Sequence, residues 1–338
     1  MVASKKTVLL DTNIWRYLFD NKRSAELKRI QVNRSAKIKI SVSPTTAFEI
    51  AKLQDNQMKQ NLLTLVANPC WHKHMNDSYL QSEQLFNAIS RHRPELVKRG
   101  GAKPIYNALL RLHKNRRKGW WSNILDKSNA DRVQLESMGS LTSVGFLGPD
   151  KPGSFDEEAN RRIFEGKKLK NFLKVNKLNP SYVDASTRAF LSTSNSLVGV
   201  EDEHWRVHSL LWHVTWDNQP SIKEWLDERL HLDLMNSNNS DYIQFWLNEV
   251  TPEEVPSHWL WCFMDYMTEL RKQSSGTYWD LSMATYCCDA DYVISADKVF
   301  CDLVGEAGTV AKFPVATAIK VRGGQEGVID LFQIIGEL

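Results

Sequence analysis

The chain has 338 residues, of which 42% are hydrophobic and 25% charged, with a formal net charge of +3. That composition excludes wholesale disorder and allows a packed core, in one large domain or two ordinary ones. The near-neutral total neither requires nor excludes a nucleic-acid partner, and five cysteines, odd in number and without CxxC spacing, do not suggest a disulfide framework; reduced thiols are the simpler reading.

The first expected element is a buried strand over Thr7–Leu10, which stops at Asp11-Thr12-Asn13. Its apolar run is too short for a signal peptide, and no apolar stretch approaches the roughly 20 residues that span a bilayer. A soluble cytoplasmic protein without a membrane partner is expected. A helix with Trp15, Leu18 and Phe19 on one face follows. Alternating Ile38, Ile40 and Val42 predict a second strand over Lys37–Val42. Ser43-Pro44-Thr45-Thr46 then starts a helix, because Ser or Thr caps and an early Pro suit a first turn; this helix carries Phe48, Glu49, Ile50 and Leu53. From about Leu62 to Gln273 amphipathic helical stretches dominate, broken by a Gly/Pro-rich loop over Gly139–Gly153. Thr277–Cys288 reads as a helix, Tyr292–Ser295 as a buried strand ending in Ala296-Asp297, and Asp297–Gly305 as a short helix. Val315–Val321 reads as one more strand, Gly323-Gly324 as a turn, and the tail as a final strand or short helix. The expected fold class is therefore α/β: an open, mostly parallel sheet flanked by helices, built from residues 1–60 and 274–338 and interrupted by a mainly helical insertion over 61–273.

Acidic residues fall where parallel-sheet sites lie, outside the carboxyl ends of strands. Asp11 closes the first strand, and Asp297 follows the Tyr292–Ser295 strand by two positions. Glu49 lies on the helix after the second strand, and Asp280 in the first turn of the helix before the last acidic strand. Taken singly, each has a structural reading. Asp11 and Asn13 can cap a helix, Thr277-x-x-Asp280 fits a capping box, Asp297 suits a turn, and Glu49 alone is an ordinary solvated carboxylate. Brought together, four carboxylates repel unless a cation neutralises them. Hard oxygen ligands suit Mg²⁺ or Mn²⁺, which activate water and stabilise in-line displacement at phosphorus.

The segment Val8-Leu9-Leu10-Asp11-Thr12-Asn13 resembles the opening strand of PIN-domain nucleases. The segment from Ser41 to Ile50 is similar to their second strand, turn and helix with its acidic residue. The segment Asp280–Asp297 is similar to their third block, an Asp, an Ala-containing helix, a hydrophobic strand and S/T-x-D, followed by the D-x-x-F of Asp297–Phe300. The matching blocks cover about the first 55 and last 65 residues, in the family's order. The resemblance implies a PIN-like domain that hydrolyses RNA phosphodiesters with a Mg²⁺ or Mn²⁺ cofactor, leaving a 5′-phosphate and a 3′-hydroxyl. It makes Asp11, Glu49, Asp280 and Asp297 the catalytic metal ligands, with Asn13 and Ser295 supporting them or positioning phosphate. By the same analogy it implies a toxin-like or host-defence endoribonuclease. The long insertion between Glu49 and Asp280 departs from compact PIN toxins. Two other readings stand beside this one: a structure-specific DNA nuclease with the same carboxylates, and a catalytically silent RNA-binding scaffold.

Charge within the insertion is segregated. Arg91–Lys118 holds ten Lys or Arg and one Glu, and Arg161–Lys177 holds seven and one. Glu201–Leu270 holds fourteen Asp or Glu and three Lys or Arg. Basic runs interleaved with aromatics can track phosphates and stack bases, so Arg111, Lys114, Arg116, Arg117, Lys118 and Trp120 are candidate RNA contacts; the alternative is a solvated helix face. The acidic half is rich in Trp, with Trp205, Trp212 and Trp216 on one helical face, which points to core packing or to a partner or self-association surface. Cys70-Trp71-His72-Lys73-His74 lacks a matching second pair for zinc, and His204, His208 and His213 lack the HExxH pattern.

Overall fold

The computed structural model describes residues 5–34, 37–100, 103–115, 118–141, 205–206, 209, 220–237, 244–269 and 277–338. Within them the chain forms two compact units. The first takes in the described residues of Met1–Asp77, Leu109–Asp150 and Ser275–Leu338, and the second those of Ser78–Ala108 and Lys151–Ser274. The boundaries therefore differ from those read in the sequence. Residue 60 falls inside a helix of the first unit, and the chain returns to that unit at Leu109.

The first unit is a five-stranded, all-parallel sheet flanked by helices. Strand β1 (Lys6–Leu10) leads into helices α1 (Thr12–Asp20) and α2 (Ser24–Asn33), then β2 (Ile38–Val42), α3 (Pro44–Ala51), α4 (Asn56–Val66) and the two-residue β3 (His72–Lys73). Helix α5 (Asp77–His92) then leaves for the second unit, and α6 (Pro104–Lys114) returns to the short α7 (Trp120–Asn123) and α8 (Ala130–Leu141). Gly139, Ser140 and Leu141, expected in a loop, end α8; the rest of that Gly/Pro-rich stretch lies outside the described residues.

Spatial order in the sheet is β3-β2-β1-β4-β5, with β4 at Tyr292–Ser295 and β5 at Thr317–Lys320. Central strands of a parallel sheet are covered on both faces and so read as continuous apolar runs. Val8, Leu9 and Leu10 of β1 and Val293 and Ile294 of β4 are fully buried. Trp15 of α1 is also fully buried; its indole N–H donates to Leu10 O (3.2 Å), and its ring lies 5.2 Å from that of Trp71. Because β3 pairs only with Ser41 and Val42, the outer edge of β2 is unfinished. The buried Gln31 of α2 completes it, accepting from Ile40 N (2.6 Å) and donating to Ile38 O (3.3 Å).

After α12 (Thr277–Ala284) and β4 come α13 (Lys298–Val310), β5 and α14 (Gly324–Glu337). The tail is thus a fourteen-residue helix. Gly323 is its N-cap, and Gly324 has φ 64°, which a residue with a Cβ adopts at a cost. Gly327 approaches the preceding backbone closely: a Cβ there would stand 2.0 Å from Arg322 O. Arg322 cannot easily yield, since its N–H and guanidinium both bond Asp330. Gly327→Ala is expected to lower stability by about 1–3 kcal/mol, the usual range for overpacking, in urea unfolding of the full chain.

The second unit is helical among its described residues. It contains most of α5, the start of α6, α9 (Pro220–Leu226), α10 (Leu232–Ser237) and α11 (Pro256–Glu269). Gln84 and Ser257 exchange two bonds of 2.9 Å, tying α5 to α11. Trp205, Trp225, Trp246 and Trp259 are buried, so this unit uses them in its core; Trp212 and Trp216 lie outside the described residues. None of the five cysteines is in a disulfide. No helix among the described residues is long and apolar enough to cross a membrane.

Candidate active site

In an open α/β sheet the ligand crevice forms where strand order reverses, outside the carboxyl ends of the strands. Here the chain winds outward from β1 through β2 to β3, then resumes on the opposite side of β1 with β4 and β5. The reversal lies between β1 and β4. Asp11 follows the last residue of β1, and its backbone N–H continues the ladder to Ile294 O (3.1 Å). Ser295 ends β4, and Asp297 follows two residues later.

These groups form one hydrogen-bonded network. The Asp11 carboxylate accepts from Thr12 N (2.6 Å), Asn13 Nδ2 (2.6 Å) and Ser295 Oγ. Asn13 Nδ2 also donates to Ser295 Oγ (3.1 Å), while Asn13 Oδ1 accepts from Ala296 N (3.1 Å). Ser295 Oγ accepts from Asp297 N (2.9 Å). One oxygen of Asp297 caps α13, accepting from Val299 N (2.7 Å) and Phe300 N (3.1 Å). The capping role read for Asp11 is therefore present, while Asp297, read as a turn residue, caps α13; the charge of Asp297 also acts on Asp11 at the strand reversal.

Glu49 and Asp280 come from α3 and α12. Ser43 caps α3 and Pro44 occupies its first turn, which sets the helix directly after β2. Thr12 Oγ1 donates to Glu49 Oε2, fixing Glu49 beside the start of α1. Phe48 and Trp279, the residues just before the two acids, stack with ring centroids 5.7 Å apart and planes 13° apart. Thr45 and Ser282 bond across the same pair of helices at 2.8 Å.

The four acids are near enough for their charges to act on Asp280. Burial pushes the Asp280 carboxyl up to about 8, and the charges of Asp11, Asp297 and Glu49 add to the rise. No hydrogen bond from a described residue offsets it. Burial, then Asp11, raises Glu49 to about 7, against the opposing Thr12 hydroxyl and Lys52. Burial also raises Asp11, with Asp297 adding to it and the bonds from Ser295, Thr12 and Asn13 opposing it. Glu249 and Glu254 of one cleft in the second unit are paired instead. In the second unit a cleft of about 550 Å³ is lined by Arg91, His92, Glu249 and Glu254. There Glu254 is paired with Arg91 and His92, and Glu249 with Arg93. As the side chains stand, no group of three His, Cys, Asp or Glu among the described residues is arranged to hold a metal ion.

The basic candidates fare unevenly. Arg111, Lys114 and Lys118 have exposed side chains; Arg116 and Arg117 lie outside the described residues. Trp120 requires a correction. It is only 7% exposed and packs against Trp121 (4.9 Å), Phe48 (5.9 Å) and His113 (6.1 Å), so its faces serve the core and not base stacking. Sequence reasoning missed Thr12, although it sits inside the Asp11–Asn13 motif, and Lys52, although it lies one helical turn beyond Glu49. No protein-family model, curated protein or solved structure matches the chain.

Proposed function

We propose that the chain is a metal-dependent nuclease that hydrolyses RNA phosphodiesters, with Asp11, Glu49, Asp280 and Asp297 as the residues that hold Mg²⁺ or Mn²⁺. The observation that carries this reading is Asp280. It is a half-buried carboxyl raised first by burial and then by three neighbouring acids, with no hydrogen-bond donor among the described residues, at the strand reversal where α/β sheets bind ligands. A structural carboxylate is normally paired or capping, and this one is neither. The donor set fits a hard cation, and Mg²⁺ keeps several of its own waters while taking one or two carboxylates directly. A preformed group of three ligands is therefore not required.

Such an ion, when bound, lowers the pKa of its water and stabilises charge developing at phosphorus. The residues of the chain orient the donors. Asn13 and Ser295 grip one oxygen of Asp11. Thr12 holds one oxygen of Glu49, and the backbone of α13 occupies one oxygen of Asp297, which leaves the other available. With the polarity implied by the PIN resemblance, the products are a 5′-phosphate and a 3′-hydroxyl. The caps formed by Asp11 and Asp297 would also suit a silent RNA-binding scaffold, but that reading gives Asp280 no role.

The test is cleavage of a tRNA and mRNA pool, with flap DNA in parallel, in Mg²⁺, Mn²⁺ or chelator. Metal-dependent RNA cleavage that drops by at least about 10³-fold in Asp11→Asn and Asp280→Asn is expected. Cleavage confined to DNA would replace the substrate, and folded protein that cuts neither would leave the scaffold.

A further inference from the structure

An RNA backbone entering this site meets four carboxylates, so a phosphate needs a nearby positive charge before it can settle. Lys52 is placed to supply one. It is the C-cap residue of α3, one turn after Glu49, and its backbone N–H bonds Glu49 O (3.1 Å). Its ammonium lies 4.6 Å from the ring centroid of Trp279, the residue preceding Asp280. Trp279 is itself held rigidly, only 4% exposed and stacked on Phe48. Its buried indole N–H has no acceptor among the described residues, so its contribution on this side is the face it offers to Lys52. The side chain of Lys52 is half-buried, and a lysine stem laid along an aromatic face while its head remains accessible gives a fixed cation at modest entropic cost.

We propose that Lys52 receives a non-bridging phosphate oxygen of the RNA strand beside the carboxylate cluster, with the Trp279 ring fixing its ammonium in place. The inference rests on the nuclease reading for its substrate class. The rival role for Lys52 is to offset the charge of Glu49 alone. The two differ in a measurable way, because a residue that contacts phosphate releases counterions on binding and a buried neutraliser does not.

The experiment measures binding of a 5′-labelled single-stranded RNA by fluorescence anisotropy, in Mg²⁺ across a KCl series. The full chain carries Asp11→Asn so that the RNA stays intact. Lys52→Met keeps the apolar stem on Trp279 and removes the charge; Lys52→Arg keeps the charge. Lys52→Met is expected to weaken binding by about fivefold to tenfold and to lower the slope of log Kd against log salt by about 0.7, the value for one phosphate on a single strand. Lys52→Arg should restore both. An unchanged slope in Lys52→Met, equal losses in Met and Arg, or no RNA binding with Lys52 present would each overturn the proposal. Cleavage by the wild-type chain is scored separately. RNA binding with the expected slope change but no wild-type cleavage would sink the nuclease reading and leave the phosphate contact standing.

Discussion

Asp280→Asn is expected to unfold at a higher temperature than the wild type in chelator at pH 8, while losing at least about 10³-fold in cleavage. The reason is linkage. Burial and three acidic neighbours raise the folded-state value for Asp280 from 3.8 to about 8. Between those limits the folded protein holds a proton that the unfolded chain has released, so each step up in pH disfavours the fold. The stability associated with the protonated carboxyl is complete below about pH 4 and is lost as pH rises through about 8. Glu49, raised to about 7 by burial and Asp11, changes in the same direction. Asn carries no charge and escapes this cost. After discounting for partial exposure, the gain is on the order of 2 kcal/mol at pH 8, and the difference should vanish near pH 4. Thermal scans of both proteins at several pH values check this. Mg²⁺ is expected to close the gap by stabilising the wild type more, by about 2.7 kcal/mol at a hundredfold excess over Kd. A wild type that gains nothing from Asp280→Asn at pH 8, or nothing from Mg²⁺, would remove the electrostatic basis of the metal site.

A second large effect is expected in the helical unit. Arg229 is almost fully buried and pairs with Glu83. Its guanidinium lies 3.5 Å from the centroid of Phe86 and 4.6 Å from that of Tyr106. The Tyr106 hydroxyl donates to the same Glu83 (3.3 Å). Arg229→Ala removes the cation, leaves Glu83 short of its main partner and opens space between two aromatic rings. Breaking a buried pair from one side costs about 3–5 kcal/mol, and a similar loss is expected here. Replacing both partners, as in Glu83→Leu with Arg229→Met, should recover much of it, because no charge is then stranded. Trp225 packs 4.9 Å from Tyr79 and 5.9 Å from Tyr106, so tryptophan fluorescence in a urea titration will report the transition. An Arg229→Ala loss below about 1 kcal/mol would mean that the pair contributes no more than an exposed one.

The strands that build the site were legible because each ends in a chemical signal. Val8-Leu9-Leu10 stops at Asp11, and Tyr292–Ser295 stops just before Asp297. The Ser-Pro start of α3 was equally clear. Other elements gave too little pattern. Two residues of β3 cannot display a period, and α2 buries only Leu27 and Gln31, one of them polar. Gly323-Gly324 looked like a turn, and the positive φ of Gly324 agrees with that, yet the chain continues directly into a long helix. Trp120 shows a different limit. A tryptophan among lysines reads as a stacking platform, and burial, which a single sequence does not display, decided against it. The four acids could be placed at the ends of elements from sequence. Which two strands lie side by side could not, and that adjacency is what puts Asp11 next to Ser295.

That adjacency has a consequence in time. Asp11 and Ser295 are bonded across 284 residues of chain. Closing such a loop costs about 2 kcal/mol more than a 30-residue crossover, so the β1–β4 pairing is disfavoured until contacts along the whole strand can form together. Synthesis delivers Asp11 and Glu49 well before Asp280 and Asp297. A growing chain on the ribosome therefore carries half a cluster beside its own messenger. The proposed activity would arise only after β4 has slotted in next to β1, which would separate synthesis of the chain from its action.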